Sequence, residues 1–448
     1  MIAVLAAAIT TRPAKRLIDF DQTFYLAIAY DLVHHGVFSN GIFDAVDGTR
    51  AAPPPGMFFA PLYPWAVAAV TAVDPRFARA LDCAVEANEK HRDLSTCEIY
   101  ATPMLLLHAL LLAIGVIAIG RAGEIATGEP RVLYAAGAIA TAGFAAEAEL
   151  FSYVMTESLS VAGFSLFGLA LVAALARWRT ATFALCGLAL GLACLTRPTY
   201  LILAPVTLMI VAVVGRWFSG PERRPFFRPA ATLCAALAVM LAPWLARNAV
   251  SVGKLGFTEE YGSVAVIERF AFNDMTLREY VWAFPACVPL VGPAVVARLA
   301  GPDAIARFAW DSPGSFFERG RARRNALVAE HGRLDPIMGA LTREELARDG
   351  WRHLATSVPL AWCGLWVGGA FSLLVLPLAA AGLVRAARRG RPLVIAYAVP
   401  ALLLVGVHGL LANHYPRYNL GLVGPMAVAA AWLVMDAAAR RTGARPAR

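Results

Sequence analysis

The chain is poor in charged residues for its length. Only 16% of its 448 residues are Asp, Glu, Lys or Arg, whereas 59% are hydrophobic, and the mean hydropathy is +0.60. Soluble domains carry about 25% charged residues, so this composition excludes an ordinary soluble protein. The chain also lacks a CxxC pair and a histidine cluster, so no metal-binding signature of that kind is present.

Long apolar runs fill most of the chain. A helix needs about 20 apolar residues to cross ~30 Å of hydrocarbon. Runs of this kind occur at Thr102–Gly120, Val132–Ala148, Glu157–Ala176, Ala181–Leu195, Tyr200–Gly215, Ala230–Ala246, Pro359–Val384, Leu393–Ala412 and Leu420–Ala437. The sequence therefore predicts an all-α polytopic membrane protein with about ten or more transmembrane helices.

The arginines concentrate in every second loop between these runs. They are Arg121, Arg131, Arg177, Arg179, Arg216, Arg223, Arg224, Arg228, Arg385, Arg388, Arg389, Arg391, Arg440, Arg441, Arg445 and Arg448. Loops rich in Lys and Arg stay on the cytoplasmic side, so these loops are predicted to be cytoplasmic and the others to face outward. The net charge of +9 thus reflects membrane topology, and we expect the lipid bilayer rather than nucleic acid as partner.

Two outward segments divide the chain. An N-terminal transmembrane module, 1–246, includes a first outer loop at 17–101, and an outer segment follows at 247–356 before the C-terminal helices and basic tail, 357–448. Within the first loop, Ala60–Asp74 predicts an interfacial helix with Tyr63 and Trp65 at headgroup depth. The outer segment predicts a small helical subdomain, in which the proline-containing run Val281–Leu299 is expected to be interfacial or re-entrant.

The first eleven residues, "MIAVLAAAITT", are too few to span a bilayer. They have neither a basic region nor a cleavage site typical of a signal peptide. We expect them to form the outer part of a first transmembrane helix.

The seven cysteines fall into two groups. Cys83 and Cys97 share the first outer loop with thirteen residues between them, so a disulfide is a candidate there if the compartment is oxidising. Nothing in the sequence pairs Cys287 or Cys363. The remaining three are expected to be small core residues within spans: Cys186, Cys194 and Cys234.

Polar residues stand out on the outer face. Asp19 and Asp21 precede an apolar helical pattern that places Tyr25 four residues after Asp21, on the same helical face. An N-cap role for Asp21 and a helix-start role for Glu157 are the structural alternatives. Carboxylates close to the membrane are nevertheless costly and are often functional.

Arginines lie on the same outer face. Arg197 and Arg417 occupy tight outer turns, and Arg247 ends a span. Each alone is compatible with snorkelling toward headgroups. Together they favour a site for a phosphate anchored in the outer leaflet, since guanidinium geometry matches phosphate.

Five motifs in order resemble the GT-C glycosyltransferases, in the branch of bacterial protein-mannosyltransferase-like and aminoarabinose-transferase-like enzymes. They are "DFDQTFYLAIAYDLVHHGVFS" with "APLYPW", "VMTESLSVAGF", "GLALGLACLTRPTYLIL", "APWLARNAVSVGKLGFTEEYG" and "HYPRYNLGLVGP". The resemblance covers roughly 19–430. It departs at Gln22, which stands where the family usually has a second acid.

The resemblance implies a GT-C-like bundle and an inverting glycosyltransferase of the inner membrane with its active site facing the periplasm. The donor would be a polyprenyl-phosphate-linked sugar, hexosyl or pentosyl, and the acceptor an unidentified envelope molecule. Asp21 would be the general base, with Asp19 as the alternative. Donor or acceptor contacts would come from Tyr25, Glu157, Arg197, Arg247, Arg417 and Tyr418. No cofactor is certain, and a divalent metal ion is an option that Gln22 puts in doubt.

Two other functions fit a membrane protein with outer-face charges. A transporter or flippase usually has internal repeats and charges at the bilayer midplane, and the sequence shows no inverted repeat. A lipid-linked polymer ligase shares polyprenyl substrates and outer arginines. A measurement of sugar transfer separates a glycosyltransferase from a transporter.

Overall fold

The structure is a computed structural model that describes residues 2–11, 15, 17, 21–41, 52–89, 94–217, 225–412 and 415–441. Several residues used in the sequence analysis lie outside these ranges: Asp19, Arg223, Arg224, Arg445 and Arg448. Throughout the described ranges the regular structure is helical, and no strand occurs there. The predicted all-α class is therefore confirmed.

The described part of the chain contains nineteen α-helices. They are α1 Ile2–Thr10, α2 Gln22–His35, α3 Leu62–Val73, α4 Pro75–Glu89, α5 Thr102–Thr127, α6 Pro130–Ala146, α7 Glu157–Arg177, α8 Thr180–Thr196, α9 Leu203–Trp217, α10 Phe227–Ser251, α11 Tyr261–Phe270, α12 Leu277–Ala286, α13 Gly292–Ala300, α14 Pro302–Ala306, α15 Phe316–His331, α16 Asp335–Gly364, α17 Ala370–Arg388, α18 Pro392–Leu411 and α19 Val423–Arg441. Short 3₁₀ helices precede α9 at Pro198–Ile202 and α19 at Pro416–Leu422.

Seven helical segments of the described chain are long and apolar enough to cross a membrane: Thr102–Thr127, Glu157–Arg177, Pro198–Arg216, Phe227–Ser251, Ala370–Arg388, Pro392–Leu411 and Pro416–Arg440. Helices α6 and α8 are shorter, with 17 residues each, and connect these segments in antiparallel order. The chain is thus a multi-pass membrane protein. The nine-residue α1 packs on α5 and α6 with Leu5 and Ile9 buried, which makes ten helices in the bundle.

Close helix packing in the bundle depends on small residues. Gly120 of α5 lies against the backbone carbonyl of Leu133, and Gly187 of α8 lies against that of Leu233, so a Cβ at either position would clash with backbone. Membrane helices gain little from the hydrophobic effect among themselves and associate through such backbone approaches. This packing places α5 at the centre, in contact with α1, α6, α7 and α19.

The first outer loop folds into α2, α3 and α4. Cys83 and Cys97 form a disulfide with Sγ–Sγ 2.00 Å, which fastens α4 to the segment leading into α5. Trp65 is partly exposed, but Tyr63 is fully buried and its hydroxyl bonds Nε2 of His108 at 3.0 Å. Tyr63 is therefore enclosed by protein and does not face lipid headgroups, because a buried histidine of α5 provides a partner for its hydroxyl.

The outer segment is helical from α11 to α16. Val281–Leu299 forms parts of two short helices, α12 and α13. The predicted span Pro359–Val384 is the end of α16 followed by α17, because Gly368 and Gly369 at positive φ break the helix between them. Cys363 of α16 pairs with Cys287, which the sequence did not indicate. Finally, Cys234 is exposed on α10 rather than buried.

Candidate active site

The site begins with a carboxylate that does not cap its helix. Asp21 occupies the N-cap position of α2, but its side chain makes no capping hydrogen bond. Instead Arg417 donates from Nη2 to Asp21 Oδ2 at 2.9 Å. The Asp21 side chain is 47% exposed, so the carboxylate remains open to a ligand. The N-cap alternative therefore fails for its side chain.

A second carboxylate–arginine pair belongs to the same end of the bundle. Glu157 begins α7 and Arg197 directly follows α8. Arg197 Nη2 lies 3.0 Å from Glu157 Oε1. The same Nη2 donates to Thr156 Oγ1 at 3.2 Å. Arg197 takes the extended conformation expected before a proline, here Pro198, which ends the helix and frees its side chain to turn inward. Glu157 is only 5% exposed, and its Oε2 has no hydrogen-bond partner among the described residues.

Tyr418 lies between the two arginines. The centre of its ring is 5.3 Å from the guanidinium carbon of Arg417 and 6.0 Å from that of Arg197. Cations are attracted to aromatic faces within about 6 Å. We name Asp21, Glu157, Arg197, Arg417 and Tyr418 the outer cluster.

The outer cluster lies at the membrane side opposite the arginine-rich loops. Glu157 starts α7, which ends at Arg177, and Arg417 precedes α19, which ends at Arg441. Since a membrane helix joins opposite sides of the bilayer, both pairs occupy the side that the positive-inside rule assigns to the exterior.

Packing around the start of α2 fixes the position of Asp21. Gln22 is fully buried and its Oε1 accepts a hydrogen bond from the backbone N–H of Val154 at 2.7 Å, which joins α2 to the loop before α7. Tyr25 is buried against Phe59 and Tyr63, with ring centroids 5.1 and 5.2 Å apart. Burial above all, and then the nearby Tyr261 and Asp21, raises the pKa of Tyr25 well above its ordinary value. Tyr25 therefore remains a neutral hydroxyl beside the outer cluster.

Two residues of α11, Tyr261 and Glu268, interact electrostatically with Asp21, although no feature of the sequence distinguished them. Burial, followed by Tyr418 and Asp21, raises the pKa of Tyr261, while Arg197 and Arg417 oppose this shift. Glu268 is paired with Arg324 at 2.5 Å, and burial raises its pKa, with the charge of Asp21 adding to the effect. The charge of Asp21 thus acts on two residues of the outer segment.

Arg247 has a different set of partners. Its Nη2 donates to the carbonyl oxygen of Phe38 at 2.6 Å, and its Nη1 donates to that of Gly56 and to Asn248 Oδ1. These bonds hold the first outer loop against α10. None of these partners of Arg247 belongs to the outer cluster, and Asp19 lies outside the described residues.

The carboxylates of the outer cluster do not assemble a typical cation site. Calcium takes six to eight oxygen ligands, and magnesium is bound by one or two carboxylates with several waters. Asp21 and Glu157 each have one oxygen on an arginine. The described residues contain one group of three carboxylates, Glu259, Glu260 and Asp335, where Glu260 and Asp335 bond each other's backbone N–H groups. We therefore derive no step through a metal ion.

Comparisons with solved structures show the same architecture. The chain superimposes on a crystal structure of the oligosaccharyltransferase of Archaeoglobus fulgidus, tethered to an acceptor peptide, with TM-score 0.51 and 12% identity over 99% of this chain and 50% of that one. A second structure of this archaeal enzyme, AglB, in complex with an inhibitory peptide and a dolichol-phosphate, gives TM-score 0.52 and 13% identity over 100% and 51%. The chain spans about half the length of these two proteins.

Other comparisons add less. ArnT from Cupriavidus metallidurans bound to undecaprenyl phosphate aligns with 16% identity over 98% of this chain and 77% of that one, but its TM-score of 0.39 is too low to support an argument. No protein-family model and no curated protein matches the chain. The match to the archaeal structures shows that the chain shares their fold, the GT-C fold.

Proposed function

We propose that the chain is an inverting glycosyltransferase that moves a sugar from a polyprenyl phosphate to an envelope acceptor on the outer face of the cytoplasmic membrane. The observation that carries the proposal is the pairing of an accessible carboxylate with an arginine from a distant turn, Asp21 with Arg417, beside a second arginine, Arg197. A sugar phosphate needs both kinds of group at one place, a base for the incoming hydroxyl and cations for the departing phosphate.

Asp21 is the proposed general base. It takes the proton of the acceptor hydroxyl while that oxygen forms a bond to the anomeric carbon, and the bond from the same carbon to the phosphate oxygen breaks. The electron pair leaves with the polyprenyl phosphate, and attack opposite the leaving group inverts the configuration. General base catalysis contributes about 10²–10⁴-fold to such a step.

Arg417 and Arg197 are the proposed phosphate ligands. The leaving phosphate gains negative charge as the glycosidic bond breaks, and fixed cations at that position stabilise the transition state more than the ground state. In the absence of donor, Asp21 and Glu157 neutralise these arginines. Arrival of a phosphate on Arg417 replaces the carboxylate of Asp21 and releases it to act as base.

Glu157 and the tyrosines have positioning roles in this proposal. The unpartnered Oε2 of Glu157 offers a buried acceptor for a hydroxyl of the sugar or of the acceptor. Tyr418 fixes the spacing of the two arginines, and Tyr25 offers a neutral hydroxyl nearby. Arg247 supports the loop that bears α2 and α3 without touching the phosphate.

The fold supports a lipid-linked donor. The archaeal oligosaccharyltransferase of the same fold was solved with dolichol-phosphate, a polyprenyl-type phosphate. In the present chain the arginines of the outer cluster lie at the ends of apolar membrane helices, where a lipid phosphate would reside. A bacterial inner membrane with a periplasmic site is the proposed location, as the arginine distribution also favours.

A transfer assay tests the function. The purified chain, in lipid nanodiscs, would be incubated with polyprenyl-phosphate sugars labelled in the sugar and with envelope lipid, glycan and protein fractions as acceptors. The expected result is free polyprenyl phosphate together with a labelled product whose anomeric configuration is opposite to that of the donor.

The same preparation reconstituted in sealed vesicles separates a flippase from a transferase. Movement of intact labelled donor across the bilayer without release of polyprenyl phosphate would contradict the proposal. A product that retains the donor configuration would contradict direct displacement assisted by Asp21.

A further inference from the structure

A second candidate site lies on the opposite side of the membrane from the outer cluster. A groove with a volume of about 540 Å³ opens between α5, α7 and α8, with Met240 of α10 at its edge. Ligand sites typically occupy about 300–1,000 Å³. Arg121 and Arg177 line one end of this groove, so that end lies on the arginine-rich side of the membrane.

The length of the groove matches one leaflet. Along α7 it extends from Leu166 to Arg177, and along α8 from Thr182 to Leu192. At 1.5 Å per residue, both stretches are roughly 15 Å long, which is half of the ~30 Å hydrocarbon thickness. The groove therefore extends from the arginine-rich surface to about the middle of the bilayer.

The floor of the groove is made of small residues. Ala170 and Ala173 of α7 and Ala189 of α8 line the groove, together with the larger Leu169 and Leu188. Between the two arginines and Leu192 the lining is apolar apart from Thr182, whose hydroxyl donates to the backbone carbonyl of Arg179. This shape suits a flexible hydrocarbon chain and offers nothing to a polar solute.

The charged end of the groove is accessible. Arg177 is exposed at the end of α7 and makes no ion pair within the described ranges. Arg121 bonds Glu124 at 2.6 Å, but the Arg121 side chain is 52% exposed, and such surface pairs are weak. Two guanidinium groups above an apolar channel of one leaflet's length complement an anionic headgroup with an acyl chain beneath it.

We propose that this groove binds a phospholipid with an anionic headgroup from the arginine-rich, cytoplasmic leaflet. The phosphate contacts Arg121 and Arg177, and one acyl chain lies along Ala170, Ala173 and Ala189. A bound lipid would stabilise the packing of α7 against α8, whose opposite ends carry Glu157 and Arg197. The proposal concerns a structural lipid and does not depend on the reaction at the outer cluster.

Native mass spectrometry of the purified full chain tests this site, with phosphatidylglycerol and phosphatidylcholine of identical acyl chains as probes. The wild-type chain should bind phosphatidylglycerol more tightly. The double variant Arg121→Gln and Arg177→Gln should lose about ten- to thirtyfold of that preference, because both arginines contribute to the attraction of an anionic headgroup. Arg131→Gln is the matched control, because Arg131 is a 79% exposed arginine on the same membrane side that does not line the groove.

A second pair of variants tests the channel. Ala173→Phe fills the groove and should weaken the binding of the most tightly held lipid of either kind, and the milder Ala170→Leu should act in the same direction. Equal affinity of wild type for both lipids would overturn the proposal. So would an equal loss in Arg131→Gln, which would indicate diffuse surface charge, or unchanged lipid binding in both filled-groove variants.

Discussion

Arg417 donates from Nη2 to Asp21 Oδ2 across 2.9 Å, although 396 residues separate the two in the chain. The Asp21 side chain is about half exposed, so the pair contributes only about 0–1 kcal/mol to stability. A pair this weak can be exchanged for a phosphate, which offers the arginine two oxygens in bidentate geometry. The same contact thus keeps the proposed base occupied until a donor arrives.

Replacement of Arg417 by Ala should weaken donor binding by about 10–100-fold, because hydrogen bonds to charged groups are worth roughly 1.5–3 kcal/mol. The thermal midpoint should change little, since the Asp21 side chain is about half exposed and the ion pair is correspondingly weak. Binding of a polyprenyl phosphate measured by microscale thermophoresis checks this. Arg352→Ala, at an exposed arginine of α16, should bind like wild type. Unchanged affinity of Arg417→Ala would remove this residue from the phosphate site.

The same substitution at Arg247 should have the opposite pattern. Its guanidinium holds the backbone carbonyls of Phe38 and Gly56, so Arg247→Ala should destabilise the first outer loop by about 1.5–3 kcal/mol. A lowered melting temperature in detergent, with donor affinity retained in the folded fraction, is expected. A loss of affinity without a loss of stability would instead place Arg247 among the phosphate ligands.

The turn that bears Arg417 and Tyr418 depends on a buried contact. His408 Nδ1 lies 2.8 Å from Asn419 Oδ1, and Asn419 Nδ2 donates to the carbonyl of Gly364 at 3.1 Å. His408→Ala removes the first bond and should lower kcat/KM for transfer about tenfold. His408→Asn places an amide nitrogen near the same position and should restore part of the rate. Equal rates for the two variants would show that the contact does not position the turn.

Thiol labelling checks both cystine pairs. Without reductant, maleimide should leave Cys83, Cys97, Cys287 and Cys363 unlabelled. Reduction should add label at the four cystine positions, as peptide mass spectrometry would show. Label at Cys83 or Cys287 before reduction would contradict the corresponding disulfide.

Apolar runs and loop arginines predicted the helical class and most of the bundle, because span length and positive charge are set locally along the chain. The predicted span Pro359–Val384 was wrong because Gly368 and Gly369 interrupt it. A glycine pair within an apolar run does not clearly indicate a turn. The burial of Tyr63 was missed for a related reason. Its partner, His108, is 45 residues away, and a pattern within one helix does not show such a contact.

The candidate site was predicted in part. Asp21, Glu157, Arg197 and Arg417 each follow or precede an apolar helix at the outer side, so topology alone brought them to one surface. Topology does not determine which carboxylate meets which arginine. The charge of Asp21 acts on Tyr261 and Glu268 of α11, and no local pattern distinguished these two from other residues of the outer segment.

The most direct measurement is single-turnover transfer by Asp21→Asn with donor bound in advance. An amide cannot take the acceptor proton, so the rate should fall by about 10²–10⁴-fold while donor affinity stays the same or increases. Asp303→Asn, at an exposed aspartate of α14, should transfer at the wild-type rate. Transfer by Asp21→Asn at the wild-type rate would contradict the assignment of Asp21 as the base.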